Sequence, residues 1–275
     1  MRNHGSRFSL MRMGPHDHIG WIFSGPGEFA ALANPFLAEG AARNERLMYV
    51  ADDPDITAFG SWTETLPPGT LTAATVADVY GESGIVDAQK QRATFAQALA
   101  DALAAGYTGI RVAAENTPLI LDRERMDAWI RWEIVADHFM SANPVTGLCA
   151  FDKTRIDVNS LRHLATLHPV WPAESDQPAF RLFSSDSALW LEGEVDSFAL
   201  GQAKLALENL PPTTGVVVDL TSTAAITSDA LTALRQLCET GVGVTVRGAT
   251  ELVRKLVQSA GLPAQSLSWT EPQSL

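Results

Sequence analysis

Glu133 stands between Trp129, Ile130 and Ile134 on a largely apolar helical face, one turn before Asp137. A carboxylate there must be ion-paired, hydrogen-bonded or turned to a cavity, because an isolated charge is costly to bury. An ordinary paired glutamate and a pocket residue both meet that demand. His16 and His18 share the H-x-H spacing that can offer two imidazoles to a metal. No second ligand group with recognisable spacing follows, and His138, His163 and His168 are scattered, so no metal site is expected. Cys149 and Cys238 lack CxxC spacing, neither lies in a nucleophile signature, and there is no GxSxG elbow.

Two further segments lie where phosphate chemistry could occur. Phe23-Ser24-Gly25-Pro26-Gly27-Glu28 follows a strand-like run and precedes a helical one. It has no lysine and Glu28 would repel phosphate, so a plain strand-to-helix turn accounts for its glycines. In the second half, Val218-Asp219-Leu220 runs into a short loop, and Ile226 is followed by Thr227 and Ser228 at a helix start. Ordinary N-capping explains those hydroxyls. The same place would suit a phosphate, since unpaired helix N–H groups favour negative charge.

The elements that carry these residues alternate. Strand-like runs at Gly20–Phe23, Arg46–Val50, Thr70–Val76, Ile110–Ala113 and Leu148–Phe151 are separated by helical patterns. The helical faces are Phe29-Leu32-Ala33-Phe36-Leu37, interrupted by Pro35, then Phe95-Ala98-Leu99-Ala102-Leu103, then Met126-Trp129-Ile130-Ile134. That alternation predicts an α/β layer on a mainly parallel sheet. Beyond it, strands are expected at Phe180–Phe183, Ala188–Leu191, Gly215–Leu220, Val242–Val246 and Leu267–Trp269. Helices are expected at Phe198–Leu207 with Ser197 as N-cap, at Ala230–Leu237, and around Leu252–Ala260. Between the halves, His168 to Pro178 holds three prolines among small polar residues and reads as an extended linker. The expected division is a first domain at 14–170, a linker at 171–178 and a second domain at 179–271.

The chain has 275 residues, 46% hydrophobic and 19% charged, which allows a sizeable core and two domains. Lys plus Arg number 20 against 32 Asp plus Glu, a net charge of -12. That balance argues against electrostatic capture of nucleic acid or an anionic membrane. No apolar run approaches a membrane span. The N-terminal stretch has no long apolar core and does not read as a signal peptide; its first dozen residues are expected to form a loosely held tail. Two distant cysteines fit a reducing cytoplasm.

Residues from about 180 to 270 resemble a STAS domain of the anti-sigma factor antagonist type. The resemblance runs through Leu191-Glu192-Gly193-Glu194-Val195-Asp196, then Val216 to Leu220, then Ile226-Thr227-Ser228-Asp229-Ala230-Leu231, and ends with Leu256 to Leu262. It implies that Ser228 is the phosphoacceptor, with Thr227 as the competing hydroxyl, and that Asp196 and Asp229 lie at the partner interface. Thr227, Asp229 and Ala230 depart from the family's D-S-S-G pattern, and Asp229 adds negative charge beside the acceptor.

Residues from about 16 to 170 resemble the MEDS domain, a sensory domain. His16-x-His18-Ile19, Pro35 to Gly40, Met48 to Val50, Gly109 to Val112, Trp132-Glu133, Leu148 to Asp152 and His168-Pro169 carry that resemblance. It implies a degenerate α/β fold related to RecA/KaiC-type ATPases and a small-molecule ligand, with His18, Trp132, Glu133 and Cys149 as the pocket. Phe23-Ser24-Gly25 stands where that family has an aromatic-Tyr-Asp run.

Together the resemblances imply a cytoplasmic anti-sigma factor antagonist. A sensory domain would be coupled to partner switching, with an anti-sigma factor of the serine-kinase type as partner. That partner would bring ATP and Mg²⁺; no cofactor, nucleic acid or membrane is expected for this chain. A scaffold subunit of a stress-signalling assembly is the alternative within the binding class. A nucleotide hydrolase is the alternative from another class: Asp52 or Glu115 could hold Mg²⁺, but nothing supplies the phosphate-binding lysine.

Overall fold

The computed structural model describes residues 2–186, 188–221, 226–261 and 267–270. The chain forms two compact units, Met1–Gln177 and Pro178–Leu275.

The first unit runs β1 (Gly5–Arg7), β2 (His18–Phe23), α1 (Pro26–Ala42), β3 (Arg46–Ala51), β4 (Leu71–Thr75), α2 (Val76–Tyr80), α3 (Ala88–Ala104), β5 (Ile110–Glu115), α4 (Arg123–Ala142), β6 (Val145–Asp152), α5 (Val158–Leu167) and β7 (Val170–Pro172). Its strands form one seven-stranded sheet in the order β1-β7-β2-β6-β5-β3-β4, with every pairing parallel. Parallel strands need crossovers, and the crossover helices cover both faces. Ile19, Phe23, Tyr49 and Leu148 pack with α1 residues Phe29, Phe36 and Leu37 on one face. Val112, Ala114 and Phe151 pack on the other with Phe95, Trp129, Trp132 and Leu164 from α3, α4 and α5. Aspartates cap three of these helices: Asp87 accepts from the Gln89 and Lys90 amides, Asp122 from Arg125, and Asp157 from Asn159 and Ser160.

Three expectations are corrected here. The first dozen residues are not a loose tail. Gly5, Ser6 and Arg7 pair with Val170, Trp171 and Pro172, Leu10 is buried, and the largely covered Arg2 side chain binds Asp137. By the same pairing, Trp171 and Pro172 are not linker: both are buried within the sheet. Pro172 is tolerated because β7 meets β2 only at Val170, so no ladder bond is asked of its nitrogen. Pro35 does not end α1, which continues to Ala42.

The second unit runs β8 (Phe180–Ser185), β9 (Ala188–Gly193), α6 (Ser197–Asn209), β10 (Gly215–Asp219), α7 (Ser228–Glu239), β11 (Val244–Arg247), α8 (Glu251–Ser259) and β12 (Leu267–Thr270). Its sheet has the order β12-β11-β10-β9-β8, antiparallel only between β8 and β9. The cap of α6 is Asp196, which accepts from the Ala199 amide at 2.8 Å, and Ser197 is the first helical residue. A carboxylate at this position also meets the positive end of the helix dipole. In the described residues of both units, no helix is long and apolar enough to cross a membrane.

Candidate functional site

The register of β2 and β6 builds the site. His18 pairs with Gly147, and Gly20 with Cys149. Side chains alternate along a strand, so His18, Gly20, Gly147 and Cys149 share the face covered by α4 and α5. From α4, Glu133 and Asp137 point at this face one turn apart, and both are buried. His168 follows the last residue of α5 and is fully buried.

Four side chains converge there. His18 Nε2 lies 3.0 Å from Glu133 Oε2 and 3.5 Å from Cys149 Sγ. His168 Nε2 lies 3.6 Å from Glu133 Oε1. One ligand atom from each of His18, Glu133, Cys149 and His168 lies within 4.8 Å of the others. The outer ring nitrogens are anchored: His18 Nδ1 bonds Asp137 Oδ1 at 3.0 Å, and His168 Nδ1 donates to the Leu164 carbonyl at 2.8 Å. These side chains hold each other's charge. Burial works against an imidazolium at His18, but Asp137, Cys149 and Glu133 together raise it well above the ordinary range. Burial likewise opposes charge on His168, and the facing Glu133 overrides it, lifting the imidazole to about 9. Burial would raise Glu133, yet His168 and His18 bring it down to about 2.

Beside Cys149 lies a cavity of about 40 Å³, lined mainly by apolar side chains including Tyr80, Phe95, Trp132, Phe139 and Met140. It has the size for a water or a molecule of a few atoms. Burial, with Cys149 and Glu133 nearby, pushes the Tyr80 phenol well above its ordinary range and keeps it neutral. Of the four expected pocket residues, Trp132 and Cys149 line this cavity, whereas His18 and Glu133 do not. Both instead contact Cys149 or its neighbours in the polar cluster.

His168, which sequence spacing left scattered, belongs to the cluster with His18, Glu133 and Cys149. The fold gathers them from β2, α4, β6 and the end of α5. The signal was available in Leu148 to Asp152 followed by His168-Pro169, the segments that carry the resemblance to the sensory domain. His16 points elsewhere, its Nδ1 3.2 Å from the Met140 carbonyl.

Gly20 makes room for the second histidine. A Cβ there would fall 2.5 Å from Trp171 Cζ3 and 2.6 Å from His168 Cγ, both in buried rings. Gly20→Ala is therefore expected to cost about 1 to 3 kcal/mol of stability in chemical denaturation, as overpacking does. A loss below about 0.5 kcal/mol, the scale of a neutral surface change, would mean that the rings repack freely.

The model of the MEthanogen/methylotroph, DcmR Sensory domain, MEDS, matches residues 17–169, more than half of the 275 residues. The chain belongs to the MEDS family. No curated protein matches it. The MEDS match includes all four convergent residues, with His18 and His168 at its two ends. A signalling or regulatory role follows from the MEDS sensory domain.

In the second unit Ser228 is the first residue of α7 and is exposed. Thr227 is its N-cap, and the hydroxyl accepts from the Ala230 amide at 3.2 Å. Asp229 is exposed in the first turn, and Ile226 is buried just before the helix. The loop residues Ser222 to Ala225 lie outside the described residues. Asp196 sits at the start of α6.

Proposed function

We propose that this protein is a cytoplasmic anti-sigma factor antagonist in which a MEDS sensory unit governs partner switching by a STAS-like unit. The observation that carries the reading is the division of labour at the start of α7. Thr227 supplies the cap, which leaves the exposed Ser228 hydroxyl available for modification. The STAS resemblance assigns the phosphoacceptor to this serine. Asp229 beside it and Asp196 at the start of α6 would belong to the surface that meets an anti-sigma factor of the serine-kinase type. Catalysis would rest with that partner. In the first unit the Glu28 carboxylate accepts from the Ser24 amide at 2.6 Å, so an acid occupies the turn where a hydrolase would hold phosphate. Arg155 lies 3.5 Å from Asp52 and 3.4 Å from Glu115, engaging both candidate Mg²⁺ ligands.

The test is phosphorylation by the cognate kinase. The full-length protein, incubated with the serine-kinase anti-sigma factor of its own cell and ATP, is expected to acquire one phosphate mapping to Ser228 by peptide mass spectrometry. Absence of both a complex and phosphate on Ser228 or Thr227 would refute the reading. ATP turnover by the chain alone would move it to the hydrolase class.

A further inference from the structure

We propose that His18, Glu133, Cys149 and His168 form a binding site for a divalent transition metal of the zinc class. The ligands would be His18 Nε2, His168 Nε2, Cys149 Sγ and a carboxylate oxygen of Glu133. This inference concerns the first unit alone and does not depend on the anti-sigma factor reading.

Geometry is the first support. A tetrahedral zinc ion bound at about 2.0 to 2.1 Å by nitrogen or oxygen and about 2.3 Å by sulfur separates its ligand atoms by about 3.3 to 3.6 Å. Here His18 Nε2 lies 3.0 Å from Glu133 Oε2 and 3.5 Å from Cys149 Sγ, His168 Nε2 lies 3.6 Å from Glu133 Oε1, and the four ligand atoms all fall within 4.8 Å of one another, so a small inward movement completes the tetrahedron. The second support is the direction of the lone pairs. A carbonyl only accepts, so His168 Nδ1 carries a proton for Leu164; His18 Nδ1 likewise faces the Asp137 carboxylate. In the neutral ring each Nε2 then keeps a free lone pair on the side where Cys149 and Glu133 also gather. A carboxylate and a backbone carbonyl behind the two rings are the outer partners that metal-binding histidines use.

The third support is an unmet demand. Both Glu133 oxygens and His168 Nε2 are fully buried without a hydrogen-bond partner, although they stand at ion-pair distance from each other or from His18. The His168 contact, at 3.6 Å, is longer than a hydrogen bond, so this buried nitrogen and the carboxylate are left short of a partner that an ion between them would supply. Charge is the fourth support. A divalent ion with one thiolate, one carboxylate and two neutral imidazoles is net zero, which suits a buried site. On loading, the thiol proton and the Nε2 protons leave to solvent. The N₂OS donor set favours zinc, or cobalt in its place, over the oxygen-seeking Mg²⁺ and Ca²⁺.

The experiment uses the full-length protein with any tag removed. Elemental analysis after purification is expected to find about one zinc-class ion per chain. After chelation and addition of one equivalent of Co²⁺, tetrahedral d–d bands and a thiolate-to-cobalt charge-transfer band are expected. Cys149→Ser, which retains the side chain's size, should abolish the charge-transfer band while circular dichroism shows an intact fold. Asp137→Asn, behind His18, should weaken Co²⁺ binding by about 10- to 100-fold. Folded wild-type protein that takes up neither Zn²⁺ nor Co²⁺ at micromolar concentrations would overturn the proposal. So would a cobalt spectrum unchanged in Cys149→Ser.

Discussion

Asp137→Ala is expected to destabilise the protein by about 3 to 5 kcal/mol, the cost of breaking a buried ion pair from one side. Asp137 serves two cations at once. One oxygen accepts from His18 Nδ1 at 3.0 Å, and the carboxylate also pairs with Arg2, whose side chain is 6% exposed. Removing it takes the shared carboxylate from an imidazole and a guanidinium held away from water. Equilibrium unfolding in urea measures the loss. A second expectation follows from the topology. Arg2 precedes β1, so the amides of β1 should exchange faster in the variant than those of central strands β2 and β6. Arg2→Met combined with Asp137→Ala should recover part of the loss, because the double variant no longer buries the guanidinium without this carboxylate. A single-variant loss below about 1 kcal/mol, the range of surface pairs, would show that Asp137 is not the hub the geometry makes it.

The same residues show what a sequence can reveal. Long apolar runs were legible: β2, β3, β5 and β6 are buried on both faces and read as continuous hydrophobic strands. β1 and β7 were not, because each is three residues long and neither Gly5-Ser6-Arg7 nor Val170-Trp171-Pro172 has a period to detect. Their pairing joins the two ends of the first unit, a contact that no local pattern encodes. The cap of α6 was misplaced by one residue because Asp196 and Ser197 are both good caps and only geometry separates them.

The site divides along the same line. Glu133 stood out because a carboxylate on an apolar helix face demands a partner. Its partners are far away in sequence, His18 and His168, and His18 itself lies 131 positions from Cys149 and 119 from Asp137. Motif spacing finds ligands that one turn or loop delivers together. Here four separate elements deliver one ligand each, and the β2–β6 register rather than any local spacing brings them into contact.

The second large effect concerns the surface of the other unit. Under the proposed partner switching, Ser228→Asp is expected to weaken binding to the serine-kinase anti-sigma factor by about 100-fold or more, equivalent to about 3 kcal/mol. Ser228→Ala should bind within a few-fold of wild type. The reasoning separates fold from interface. Thr227 remains the cap of α7 in both variants, and a carboxylate in the first turn of a helix is mildly favourable, by about 0.3 to 1 kcal/mol. Asp229 already occupies that turn without disturbing the helix. Both variants should therefore unfold at nearly the wild-type denaturant concentration, which checks that any binding loss is local. At the interface the balance reverses, because a charge pressed against the partner loses its water without gaining a counter-ion. Phosphate adds more, about -1.5 to -2 charges and a bulkier group, so the phosphorylated protein should bind more weakly than Ser228→Asp. Asp229 sets the baseline: Asp229→Ala should strengthen binding of the unmodified protein by removing a charge beside Ser228. Titration of the wild type, the phosphorylated protein and the three variants against the isolated partner by calorimetry reads all five affinities. If Ser228→Asp remains folded and binds like wild type, the exposed hydroxyl at the start of α7 is not the switch.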